Sequence, residues 1–338
     1  MNHKSISPNR GDFITEIQLM KALSGIADVY YSGNKITDNE FGKEYKGNVL
    51  AKSREQKYDF YYVRNNPKLF KKLPNKKIFF VSPYYRKVFA QADGIASLTD
   101  EWTRRLRGGV TTHGYPDNYQ NDRVWTFHQT VDDRFRPLRL HKRTRKIRKD
   151  IGGDFIIGHF GALRRSCYPY SFLKVLPEIQ KAHPGVKAVF STKKASNTNN
   201  ISDKSIIEKS FGYNDMPYAI SACDLILYNF RGTDGHFVGS MKILEAMACG
   251  TPVLSPRFKA REEELGEEYE MFHDFKENGG RFGPKIEKQI KNKIIGLIED
   301  IPKRVKISNY LLKRVKFYQM KESRKRLKKI LEEIASSK

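Results

Sequence analysis

The sequence predicts an α/β protein of two domains, each a parallel sheet wrapped by helices, followed by a helical C-terminal segment. Three observations predict it. A length of 338 residues exceeds what one packed core normally organises. Short β-rich runs alternate with apolar runs at helical spacing, the pattern of parallel sheets. The charge is also divided. Lys and Arg number 30 against 16 Asp and Glu over residues 1–150, 16 against 16 over 151–283, and 17 against 6 over 284–338. The expected domains are therefore 1–150, 151–283 and a basic helical segment, 284–338.

The elements follow in order. DFITEIQLMKAL (12–23) sets Phe13, Ile17, Met20 and Leu23 at helical spacing. DVYYS (28–32), YDFYYV (58–63), KIFFVS (77–82) and GIASLT (94–99) read as strands, with the polar 33–57 as a surface loop. DEWTRRLRG (100–108) reads as a helix capped by Thr99 or Asp100. The basic run HKRTRKIRKDIGGD (141–154), ending in Gly152–Gly153, reads as a linker. Beyond it, DFIIGHF (154–160), VKAVFS (186–191), DLILYNF (224–230) and PVLS (252–255) read as strands. SFLKVLPEIQKAH (171–183), MPYAISAC (216–223) and MKILEAMAC (241–249) read as the helices between them. Pro177 predicts a kink or a late start in the first of these. ESRKRLKKILEEI (322–334) is amphipathic through Leu327, Ile330, Leu331 and Ile334.

No apolar run approaches 18 residues, and MNHKSISPNR has no apolar core of a secretory signal. The expected location is the cytoplasm, or the inner face of its membrane. Cys167, Cys223 and Cys249 match neither zinc nor disulfide spacing and read as reduced core thiols. A net charge of +25, carried by the two flanks, implies an anionic partner or surface, DNA or an anionic membrane. No feature implies a stable protein partner.

The most informative stretch is GSMKILEAMACGTPV (239–253), which follows strand 224–230 and a glycine-rich loop. In an open parallel sheet, ligands bind beyond the carboxyl ends of the strands. Gly235, Gly239 and Ser240 let backbone approach a ligand there, and a helix N-terminus favours phosphate. Lys242 in the first turn opposes the helix dipole unless an anion is bound. Glu245 offers a carboxylate for two hydroxyl hydrogen bonds, as from a ribose. A bland exposed Lys–Glu pair would use the same spacing. Gly250 and Pro252 end the helix.

The string SMKILEAMACGTPVL resembles the donor-site motif of GT-B glycosyltransferases, in particular the retaining, family-4-like group. SPNRGDFITEIQLMKAL (7–23) is similar to that family's N-terminal glycine-rich loop and first helix. FHQTVDDRFRPL (127–138) is similar to the end of its N-domain, IIGHFGAL (156–163) to the first strand and loop of its C-domain, and FGYNDMPYAISACDLILY (211–228) to its base-binding stretch. The resemblance implies two Rossmann-like domains facing a central cleft, with the C-terminal helices packing back on the N-domain. It implies sugar transfer from a nucleotide-diphosphate sugar to a hydroxyl, with retention of configuration. Glu245 would bind the ribose. Lys242, Arg164, Arg165, Gly161, Gly239 and Ser240 would face the diphosphate, with Arg165 and Lys242 stabilising the leaving group. Tyr213 would lie near the base, and Gly11 and Asp12 across the cleft near the sugar or acceptor.

The family's earlier glutamate is replaced by Phe237, with Asp234 and His236 beside it as substitutes. Its Gly-Arg-Leu is Gly161-Ala162-Leu163 here. No Asp-x-Asp tripeptide occurs, so neither a metal nor another cofactor is expected. His113 and His128 stand as either bases or packed side chains. Three partners fit the basic flanks: a glycan or lipid acceptor at an anionic membrane, aided by YYVRNNPKLFKKLPNKK (61–77), a hydroxylated DNA base, or a polyanion on an inactive scaffold.

Overall fold

The computed structural model describes residues 11–27, 59–64, 77–80, 92–108, 122–161, 169–191, 206–229, 238–275 and 283–336. Their contacts divide the chain into two compact units. One comprises Met1–Thr130, His236–Met241 and Phe317–Lys338; the other comprises Val131–Gly235 and Lys242–Lys316.

The first unit holds a parallel sheet of β1 (Tyr61–Arg64), β2 (Lys77–Phe80), β3 (Gly94–Ser97) and β4 (Val124–Thr126), ordered as in the sequence. Helix Gly11–Ser24 begins where its apolar spacing predicts, and Ile17 and Met20 are buried. Its Leu19 and Ala22 share a core with Ala96, Leu98 and Phe127 and with Leu327, Ile330 and Ile334 of helix Met320–Ser336. The last helix thus packs back on the N-terminal segment. A Cβ at Gly94 would stand 2.7 Å from Ile334 Cδ1, so the last helix packs closely over this strand. Thr99 caps helix Asp100–Arg107 by accepting from the Trp102 amide at 3.1 Å.

The second unit holds six parallel strands: β5 (Phe155–Phe160), β6 (Val186–Ser191), β7 (Ile206–Glu208), β8 (Leu225–Leu227), β9 (Val253–Pro256) and β10 (Phe272–His273). Their order is β10-β9-β8-β5-β6-β7. All six residues of β5 are buried, as in a sheet covered on both faces. The chain lays down β5, β6 and β7 in one direction, then returns to place β8 on the other side of β5. The reversal leaves a crevice at the carboxyl ends of β5 and β8.

Residues 141–154 are not a linker. They form helix Lys142–Ile151, closed by Gly152 at φ 70°. The helix buries Thr144 and Ile151, and Arg148 donates to the Ala222 carbonyl at 2.9 Å. Polar anchoring replaces an apolar stripe, so hydrophobic spacing did not reveal it. Helix Tyr170–Ala182 runs through Pro177 rather than starting after it. The expected strand 28–32, the loop 33–57, residues 65–76 of the basic–aromatic stretch, and Cys167 lie outside the described residues. Cys223 and Cys249 are buried free thiols, and burial raises the pKa of both, that of Cys249 to about 12. No helix among the described residues is long and apolar enough to cross a membrane.

Candidate functional site

Helix Met241–Ala248 follows β8 and carries the 239–253 motif. Every residue of it is buried except the half-buried Lys242. Its end is a Schellman turn: Gly250, at φ 68°, donates to Met247 O at 3.0 Å, and Thr251 donates to Ala246 O at 2.9 Å. Thr251 Oγ1 also donates to Ile220 O at 3.2 Å. The helix is therefore fixed at its C-terminal end, while its first turn faces the crevice.

Glu245 lies on the buried face. It is 5% exposed, and its Oε1 has no hydrogen-bond partner. Burial pushes its pKa up to about 8; the nearby Asp132 adds to the rise, and Lys242 and Arg134 oppose it. A buried carboxyl oxygen without a donor is a costly arrangement that a hydroxyl donor would relieve.

Gly161 directly follows β5 at φ 132°, and its amide donates to Ser191 O at 3.2 Å. A Cβ on it would run into the Lys242 side chain at Nζ. The lysine therefore lies over the glycine at the point where the strand order reverses. His159, two residues earlier, shares that face of the strand. Its Nδ1 pairs with Leu227 O at 3.2 Å, linking β5 to β8, and its Nε2 is buried without a partner. Burial, reinforced by Lys242, lowers its pKa to about 3, so the ring is neutral.

A third segment completes the cluster. Asp132 Oδ1 accepts from the Arg134 amide and from Arg134 Nε, both at 3.0 Å. Arg134 continues to Asn214 Oδ1 at 2.7 Å, and its guanidinium stands 4.9 Å from the centroid of the Tyr213 ring. Phe135 meets the same ring edge-on at 6.0 Å.

The structure thus brings Gly161, Lys242 and Glu245 together, and Arg134 connects Tyr213 to Asp132, which acts on Glu245. Gly239 and Ser240 immediately precede the helix, and Ser240 is buried. Gly11 and Asp12 open helix Gly11–Ser24. Arg164, Arg165, His236, Phe237 and His113 lie outside the described residues. His128, in the first unit, is a packed residue: its ring meets Phe317 and Tyr318 edge-on at 5.1 and 5.9 Å, and Nε2 is 3.5 Å from Asp100 Oδ2. Asp132 also closes a turn through the Arg134 amide, and sequence reasoning overlooked Arg134 and His159. Period-two spacing from Gly161 was the signal for His159.

No protein-family model matches the sequence, and no curated protein does. Solved structures do. HepE of Anabaena, in complex with UDP-glucose, superposes at a TM-score of 0.68 and 16% identity, over 99% of this chain and 98% of its own. The pneumococcal O-GlcNAc transferase GtfA, with UDP and GlcNAc, gives 0.62 at 14% identity over 80% of this chain, and TarM of S. aureus gives 0.59 at 13% over 82%. The match spans only 55% of the GtfA and TarM chains. These neighbours are GT-B glycosyltransferases, and their fold, two Rossmann-like domains, is the fold of this chain.

Proposed function

We propose that this chain is a glycosyltransferase that moves a sugar from a nucleotide-diphosphate donor to a hydroxyl acceptor, retaining the anomeric configuration. The observation that carries this is Glu245, a buried carboxyl with an unpartnered oxygen, one turn from a lysine laid over Gly161 at the strand-order reversal. The UDP-glucose held by HepE and the UDP and GlcNAc held by GtfA support a uridine nucleotide as the donor's leaving group.

In this reading Glu245 accepts the ribose hydroxyls. The bond between the anomeric carbon and the β-phosphate oxygen breaks, the acceptor oxygen takes that carbon, and the acceptor proton leaves on the diphosphate. Charge grows on the β-phosphate, and a preorganised cation is the most effective stabiliser there. Lys242 and the Gly239–Ser240 amides fill that role, joined by Arg164 and Arg165. Their positive charge takes the place of a metal ion. Tyr213, braced by Arg134 and Phe135, stands on the base side. Gly11 and Asp12 serve the sugar or acceptor, and His236 stands in for the absent glutamate.

The test is thermal melting with UDP, GDP, ADP and their sugars, on wild type and Glu245→Ala. One nucleotide should stabilise the wild type, with or without EDTA, and fail to stabilise the variant. No shift with any nucleotide in the folded wild type would overturn the proposal and leave a polyanion-binding scaffold.

A further inference from the structure

The opposite end of the six-stranded sheet carries a second surface, unrelated to the donor chemistry. Three arginines converge on Asp224, the buried residue before β8. Arg139 reaches Oδ1 at 2.7 Å, Arg148 reaches Oδ2 at 2.7 Å, and Arg304 stands 3.6 Å from Oδ1. They come from the turn before helix Lys142–Ile151, from that helix, and from helix Ile301–Arg314. Each brings neighbours to the same place. Leu140 adjoins Arg139. Ile301 lies three residues before Arg304 and four before Val305 on that helix, so Ile301 is the surface neighbour of both.

Leu140, Ile301 and Val305, at 78%, 61% and 54% exposure, are the most exposed large apolar side chains among the described residues. Beside them, helix Lys142–Ile151 turns Lys142, Arg145, Lys146 and Lys149 outward at i, i+3, i+4 and i+7. That spacing makes one continuous basic stripe. Among the described residues no carboxylate pairs with any of the four. Asp150 is turned to Lys209 at 3.3 Å, and Glu270 is occupied by Lys303 and Lys306.

We infer that this end of the second unit docks on an anionic lipid bilayer. Basic residues attract the head groups, and exposed aliphatic side chains gain by entering the interface. A second copy presenting the same face would set basic stripe against basic stripe. A nucleic acid would use the stripe and leave Leu140, Ile301 and Val305 without a role.

The experiment is sedimentation of the full chain with phosphatidylcholine vesicles containing roughly 30% phosphatidylserine, at physiological salt. Replacing Lys142, Arg145, Lys146 and Lys149 with Gln should weaken binding on the order of a thousandfold, given about 1 kcal/mol per basic residue at such a surface. Leu140→Ser should weaken it several-fold, and pure phosphatidylcholine vesicles should bind neither. Lys321, Lys325, Lys328 and Lys329, exposed on the last helix, serve as a charge-matched control whose replacement by Gln should change little. Equal loss in the control, no effect of Leu140→Ser, or no vesicle binding by the wild type would each overturn the inference. Competition by duplex DNA combined with indifference to Leu140 would assign the surface to nucleic acid instead. Unchanged circular dichroism of each variant confirms that folding is intact.

Discussion

The two ends of one sheet hold two buried carboxyl groups treated in opposite ways. At the amino end, Asp224 receives Arg139, Arg148 and Arg304 and also the Ile156 amide at 2.8 Å. Near the carboxyl end, Glu245 is equally buried, yet one of its oxygens receives nothing. Burial is the same; satisfaction differs. A saturated carboxylate ties elements together, whereas an unsaturated one leaves a hydrogen bond unmade.

The largest test of this contrast is Asp224→Ala. It leaves three guanidinium groups and a buried amide without their acceptor, and should cost roughly 3–5 kcal/mol in urea unfolding. A loss below 1 kcal/mol would show that the arginines find other partners and that the contrast is empty.

Glu245→Gln should act in the reverse sense. The folded-state pKa of Glu245 lies near 8, above the ordinary 4.5, because burial disfavours the charged form. Its contribution to stability is therefore full below about pH 4.5 and is lost as pH rises through about 8. Between pH 5 and pH 9 the variant should gain on wild type by roughly 3–5 kcal/mol. Parallel stability curves for the two proteins would show that Glu245 is already satisfied. At pH 9, where Glu245 is charged, the same variant should bind the nucleotide roughly a hundredfold more weakly, since hydrogen bonds to a charged group contribute about 1.5–3 kcal/mol each.

Gly161→Ala gives the smallest expected effect. Its Cβ displaces Lys242, so nucleotide affinity should fall about tenfold, or roughly 1.4 kcal/mol. Calorimetry on Gly161→Ala, Lys242→Ala and the double variant separates displacement from local strain. If displacement is the cause, the double variant binds no worse than Lys242→Ala alone. Additive losses would point to the backbone of the crevice instead.

Long elements with clear periodicity were legible: helix Gly11–Ser24, strands β5 and β6, and the helix at 241–248. The apolar face of the last helix was legible at Leu327, Ile330 and Ile334. Strands β4, β7 and β10 were not, because two or three residues carry no alternation to read. Helix Lys142–Ile151 was missed because arginine hydrogen bonds, not apolar burial, hold it. At the site, Lys242 and Glu245 were legible through their setting between a strand and a Gly–Thr–Pro stop. Their consequences were not. That Glu245 faces inward beside Asp132 depends on a segment more than a hundred residues earlier, and no local pattern encodes that proximity.

The first unit is assembled from separated parts of the chain. Its core at Ala96, Leu98 and Phe127 is closed by Leu327, Ile330 and Ile334, and the whole second unit is encoded between. During synthesis at roughly 5–20 residues per second, the nascent first unit waits on the order of 10–40 s for its closing helix. The second unit, nearly contiguous in sequence, can complete meanwhile. Of the two units, the one whose synthesis starts earlier is thus the later to become native.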